Sequence, residues 1–431
     1  MPRRLGPLPS PSLTRARAWT CVSALIIAGM LGCKSSGGGS GAGGAGNTGA
    51  AGTTGAGGGN VTEDGAVAFS RAELLGAFGA CAANQARDFR EAAVALEAAI
   101  TAWKSAADDA SRAGARDAFR AAIDRWQVME MMQFGPTAPG TILGGKDFRD
   151  NVYSWPRVSR CLVEEEIVAR SYEAPQFATA SLTNRRGLGA LEYLLFYEGT
   201  DTACSASSSA LAGWMQLSAA EIAARKRAYA LVAAHDVVVR ATGLEASWDP
   251  AAGNFVQTMR TAGPGNAIYP STQDALNTVS NAVFYIETEV KDMKLAKALG
   301  LDMEACTHEI CPELRESLFA ARSKANLLAN ADGLRRLIEG CGPDYSGLAF
   351  DDLLTEVGAG AAAETLRTRA AAIRPAIEAI EEADLDQALV QDKPSVRGVY
   401  DAVKGVTDIL KVDFVTILDF ELPEGVGGDV D

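Results

Sequence analysis

From Ser70 onward, apolar residues recur every three or four positions, the spacing that turns one helix face toward a core. Leu74, Leu75 and Phe78 open a stripe that continues through Phe89, Val94, Leu96 and Ile100 to Trp103, and Phe119, Ile123, Trp126 and Met129 mark the next. Pro136, Pro139 and the glycines from Gly135 to Gly145 break the pattern. Pro156 then predicts a helix start, where its missing N–H costs little, with the helix running through Leu162, Ile167 and Val168. Leu188, Leu191, Leu195 and Phe196 make a fourth stripe. Together these read as a bundle with apolar faces inward.

A second helical set follows. Ser218 caps a predicted helix through Ile222, Tyr229 and Val232 to about Arg240, and Ser271 begins a long one through Val279, Val283, Phe284 and Ile286. Leu314 to Leu337, Leu353 to Ile380 with a break at Pro375, and Val396 to Leu418 complete it. No run alternates with a period of two between turn signals, so the chain is expected to be all-α. Two packed helical bundles are predicted, one over residues 69–205 and one over 206–431.

One carboxylate interrupts this pattern. Glu192 falls within the arc of Leu188, Leu191 and Leu195, so it faces the core and needs a cation, a donor or a metal as partner. Gly187 and Gly189 precede it, and their bare backbone allows close packing or ligand approach. Glu130, four residues after Trp126 on the same helix face, together with Asp150 and Tyr153, are further candidates for a carboxylate-rich ligand or metal site. For each of these three, a surface or capping role is the competing reading. Of the two histidines, His235 sits mid-helix and His308 between two cysteines, and neither adjoins Glu192 in sequence. No Ser or Cys nucleophile motif and no His-Glu-x-x-His motif is present, so no catalytic residue is assigned.

The segment Gly187-Leu188-Gly189-Ala190-Leu191-Glu192-Tyr193-Leu194-Leu195-Phe196 resembles the signature of the imelysin family, Gly-x-His-x-x-Glu followed by Tyr-Leu-Leu-Phe, with Gly189 at the His position. Trp126 to Glu130 running into Phe134-Gly135-Pro136, then Tyr153-Ser154-Trp155-Pro156, the stretch Val290 to Gly300, and the tail from Leu410 to Phe420 are similar to the same family in the same order. The resemblance implies a duplicated four-helix architecture and a role in iron acquisition, with a divalent or ferric metal ion or a small molecule as ligand. It also implies a rival reading as a metallopeptidase, weakened here because the signature imidazole is absent, and a third as an envelope scaffold with a vestigial site.

The amino end changes the picture of where the chain works. Arg3, Arg4, Arg15 and Arg17 precede an apolar run from Ala18 to Gly32 that is too short for a convincing membrane span, so residues 1–32 read as an export signal. It ends at Leu31-Gly32-Cys33, which resembles a lipobox, so Cys33 is the expected lipidation site and membrane anchor. Lys34 after it favours the outer membrane, facing the periplasm or the cell surface, with an envelope transport partner unidentified. Thirteen of the 23 residues from Gly37 to Gly59 are glycine. Residues 33–68 therefore read as a tether, the glycine-rich part reaching about 25 to 30 Å.

Taking the four leader arginines from the 40 basic residues leaves 36 against 54 acidic ones. That surplus excludes nucleic acid as a partner. With Cys21 in the leader and Cys33 lipidated, six cysteines remain, an even number that predicts disulfides in an exported chain. Cys161 with Cys204 is the first expected pair, and Cys306, Cys311 and Cys341 are expected to supply one local bridge; the pairing of Cys81 is left open. Mass spectrometry of the mature amino terminus is expected to show an acylated Cys33; a free terminus at a later residue would contradict it.

Overall fold

The computed structural model describes residues 69–423, 425 and 426. The expected leader, the lipidation site at Cys33 and the whole tether lie outside them. Helices dominate, no strand occurs among the described residues, and the all-α expectation holds.

Side-chain caps set several of the helix starts. The Ser70 hydroxyl accepts from the Glu73 N–H to start α1 (Arg71–Ala106), and Asp108 caps α2 (Asp109–Glu130) through the Ser111 N–H. Ser159 caps α3 (Arg160–Ala169). Next come α4 (Gly187–Phe196) and α5 (Ala219–Trp248), the latter opened by a reciprocal Ser218–Glu221 capping box. Ser271 and Asp274 form a second such box at α6 (Thr272–Val283). The later helices are α7 (Ser323–Ile338), α8 (Gly360–Glu378) and α9 (Lys393–Ile409).

Packing follows the apolar stripes. α1 lies along both α2 and α5, and α4 lies against α5, with their buried faces supplying Phe78, Phe89, Trp126, Leu191 and Tyr229. α7 packs on α2 and on α8, and α8 on α9, so α2 and α7 join the two helical sets. The expected boundary at residues 205/206 falls before α5, and α5 packs along α1 and α4.

Several boundaries differ from the sequence reading for identifiable reasons. α3 starts at Arg160 rather than at Pro156, because Pro156 lies in a turn and the Ser159 side chain supplies the cap. Residues 315–322 are not helical; Ser317 and Ala321 take left-handed backbone conformations, and α7 begins only at Ser323. The predicted helix from Leu353 to Ile380 divides at Gly358, whose φ is +83°, and not at Pro375, which sits so near the end of α8 that its missing N–H disturbs only the last turn. α5 continues past Arg240 to Trp248. The helix expected from Ser271 through Ile286 ends as an α-helix at Val283, and the chain winds on as a π-helix over Ile286–Ala296.

Among the described residues three disulfides form: Cys161–Cys204 as expected, Cys306–Cys311 as the one local bridge expected of Cys306, Cys311 and Cys341, and Cys81–Cys341, which ties Cys341 to α1. The Cys81–Cys341 bridge spans 260 positions of sequence and Cys306–Cys311 only 5. Loop-closure entropy makes the longer bridge worth about 3 kcal/mol more. Urea denaturation of Cys81→Ser/Cys341→Ser is therefore expected to show a larger loss of stability than Cys306→Ser/Cys311→Ser, and the reverse order would refute this reading.

Candidate functional site

The start of α4 lies tight against the segment after α2. Gly187 has φ +74°, and a Cβ there would meet the Val152 carbonyl oxygen at 2.5 Å, while a Cβ on Gly189 would meet Val158 Cγ2 at 2.6 Å. Both glycines are therefore needed for packing. One turn on, Glu192 is buried as its position predicts, 6 % exposed. Its Oε1 accepts from the backbone N–H groups of Phe319 (2.8 Å) and Ala320 (2.9 Å), with the Ser317 side chain nearby. Burial outweighs these donors and pushes its pKa up to about 7. Glu192 thus holds the non-helical loop that ends at Arg322.

Glu192 and Tyr153 line one cavity of about 250 Å³. Trp155, Val158, Leu318 and Phe319 give it apolar walls, and Arg160 and Arg315 add positive charge. Of the four expected site residues, the structure brings these two together.

Glu130 lies deeper, in a buried polar cluster that the sequence reading only partly anticipated. The Lys294 ammonium, on the π-helical turn, donates to Gln127 Oε1 (2.7 Å), Glu130 Oε2 (3.1 Å) and Asn330 Oδ1 (2.9 Å), and pairs with Glu316 Oε1 at 3.0 Å. Gln127 and the Tyr153 hydroxyl donate to the same Glu316 oxygen, at 3.0 and 2.9 Å. On the other side of Glu130, the Arg149 guanidinium reaches Glu130 Oε1 (3.5 Å) and Glu289 Oε1 (3.0 Å). Burial would raise the Glu130 pKa, but Lys294 and Arg149 prevail and lower it, so it stays ionised. Burial, with Glu316 and Glu192 beside it, pushes the Tyr153 hydroxyl well above its usual range, so it stays a neutral donor.

The surface or capping reading of Glu130 and Tyr153 is thereby overturned: both are core residues, Glu130 because Lys294 from the π-helix and Arg149 from residues 148–152 reach it, and Tyr153 because Glu316 of the 315–322 loop accepts from its hydroxyl. Asp150 stands apart, accepting from Arg149 (2.9 Å) and Arg157 (3.0 Å) beside a second cavity. Sequence reasoning missed Lys294, Glu316, Gln127, Asn330, Arg149 and Glu289. A signal existed for two of them: Lys294 follows Val290 at helical spacing, and Asn330 lies between Leu327 and Leu334, so each occupies a core-facing position.

The donors at the Glu192 cavity do not fit a metal ion. Position 189 offers no side chain, Glu192 Oε1 is occupied by two N–H groups, Tyr153 donates to Glu316, and two guanidiniums stand in the wall. The cluster of Cys161, Glu165 and Cys204 is no alternative, since its sulfurs are joined in a disulfide.

A sequence profile of the imelysin family (peptidase M75) matches residues 82–411. Among solved structures, the chain is similar to an imelysin-like protein from Psychrobacter arcticum 273-4, with TM-score 0.58 and 17% identity over 83% of this chain and 98% of that one. It is also similar to a protein from Parabacteroides distasonis ATCC 8503 named as an iron-regulated protein A precursor, with TM-score 0.61 and 14% identity over 81% and 96% of the two chains. At these identities the likeness shows the fold. No curated protein sequence matches the chain.

Glu192 generates a pH test. The folded chain holds the proton up to about pH 7 whereas an unfolded glutamic acid releases it near 4.5, so this stabilisation is full below pH 4.5 and lost as pH rises through 7. Relative to Glu192→Gln, whose amide does not titrate, the wild type is expected to lose up to about 3 kcal/mol across that window. Parallel urea-midpoint profiles for the two proteins would count against a buried, proton-retaining Glu192.

Proposed function

Because the chain belongs to the imelysin family, we propose that it works outside the cytoplasm as a non-enzymatic binding protein whose Glu192 cavity takes a small, largely apolar organic molecule. The carrying observation is that cavity itself. It has aromatic and aliphatic walls, and the buried Glu192 carboxyl, whose pKa is pushed up to about 7, faces it beside Glu313, with no cysteine or histidine in the lining. A hydroxyl-bearing ligand satisfies Glu192 in either protonation state, donating to the carboxylate or accepting from the acid. The metallopeptidase reading has no support in these residues, since a catalytic metal needs three protein ligands in place.

A role in iron acquisition is part of the proposal and is supported by the iron-regulated naming of one structural neighbour. With this donor set, iron itself is not the occupant of the Glu192 cavity. Calorimetric titration separates the readings. Phenol and related aromatic alcohols are expected to bind saturably to the wild type and about tenfold more weakly to Glu192→Leu, which loses the polar anchor. Ferrous, ferric, copper and zinc ions are expected to give no heat that depends on Glu192. Stoichiometric metal binding abolished by Glu192→Gln would overturn the proposal.

A further inference from the structure

A second cavity, of about 660 Å³, shares no lining residue with the Glu192 cavity. One of its walls is a single helix face, since Asn281, Phe284, Tyr285, Thr288 and Glu289 follow one another at three- and four-residue spacing across the junction of α6 and the π-helix. Arg149 and Asp150 form another wall, and the carboxy-terminal segment with Leu422 and Val426 a third.

Two acceptors on the helical wall have no hydrogen-bond partner. Glu289 Oε1 accepts from Arg149, but its Oε2 is buried and unpartnered, and so is Asn281 Oδ1. A buried oxygen without a donor is destabilising, and a ligand carrying N–H groups supplies the missing partners. The buried cation of the wall is already committed, since Arg149 binds Glu130, Glu289, Asp150 and Tyr285, and Arg157 binds Asp150. The lining sets Asp150, Glu289 and Glu421 against Arg149 and Arg157, and burial pushes the Glu289 pKa up to about 7, so a cation beside it would favour its ionised form. Tyr285 already lies 5.9 Å from the Arg149 guanidinium, so its ring is part of a cation-accepting wall, and Phe284, Ile142 and Leu422 offer apolar surface.

We propose that this cavity binds a small organic cation, an ammonium or guanidinium on an apolar body, whose N–H groups meet Glu289 Oε2 and Asn281 Oδ1. A bare divalent ion fits less well, because only one carboxylate oxygen on the helical wall is uncommitted and Arg149 stands beside it.

The test is calorimetric titration of the full chain with benzylammonium and n-butylguanidinium, with benzyl alcohol and calcium as comparison probes. Saturable one-to-one binding of the two cations is expected, weakened about tenfold or more in Glu289→Gln and in Asn281→Leu. Asn281→Leu removes an oxygen without a partner, so it is expected to keep the fold and decides the matter if Glu289→Gln fails to fold. The Glu192→Leu variant is expected to bind the cations like the wild type, which separates this site from the Glu192 cavity. The proposal is overturned if the cations give no saturable heat, if benzyl alcohol binds as tightly as benzylammonium, if calcium is preferred, or if Asn281→Leu binds like the wild type.

Discussion

The two helical sets are held in register by one buried ammonium. Lys294 is 1 % exposed, and it meets Glu130 and Gln127 from α2, Asn330 from α7 and Glu316 from the loop before α7. Desolvating a lysine and two carboxylates is costly, and mutual attraction repays that cost only when the geometry is complete. Here the ammonium is surrounded by four acceptors drawn from α2, α7 and the loop before α7. Sliding α7 against α2 would strip partners from a charge that has no access to water, so the cluster constrains relative position more than it adds stability.

That constraint also explains the odd local structure around it. The π-helical turn broadens the backbone where Glu289 and Lys294 must both point inward. The loop that delivers Glu316 contains left-handed residues at Ser317 and Ala321, which non-glycine side chains adopt at a cost, and Glu192 compensates by accepting two of the loop's N–H groups. Glu192 is therefore joined to the ion cluster through the loop, although it makes no direct bond to Lys294.

Much of the fold was legible because helical periodicity and capping residues are local signals. The starts of α1, α5 and α6 sit where Ser70, Ser218 and Ser271 place them. Glu192 was legible for the same reason, as a carboxylate out of place on an apolar face. Its partners were not, because they are backbone N–H groups more than 120 residues away, which leave no side-chain signature. Glu130 was visible, but its burial was not, since the cations that permit it come from Arg149 and Lys294 in other elements. The helix start expected at Pro156 was misplaced because turns and helix starts both welcome proline.

The Cys81–Cys341 bridge sets a problem of order. A chain that emerges from its amino end exposes Cys81 first and its proper partner last, with Cys161, Cys204, Cys306 and Cys311 appearing in between. Joining thiols in order of appearance would couple Cys81 to Cys161 and leave none of the three native bridges in place. Correct pairing therefore requires that Cys161 and Cys204 be brought together by their own neighbourhood while Cys81 waits, or that early bridges be exchanged later by attack of a free thiolate. The first helix is thus the last to be sealed, and an oxidant acting faster than the bundle assembles traps the wrong topology.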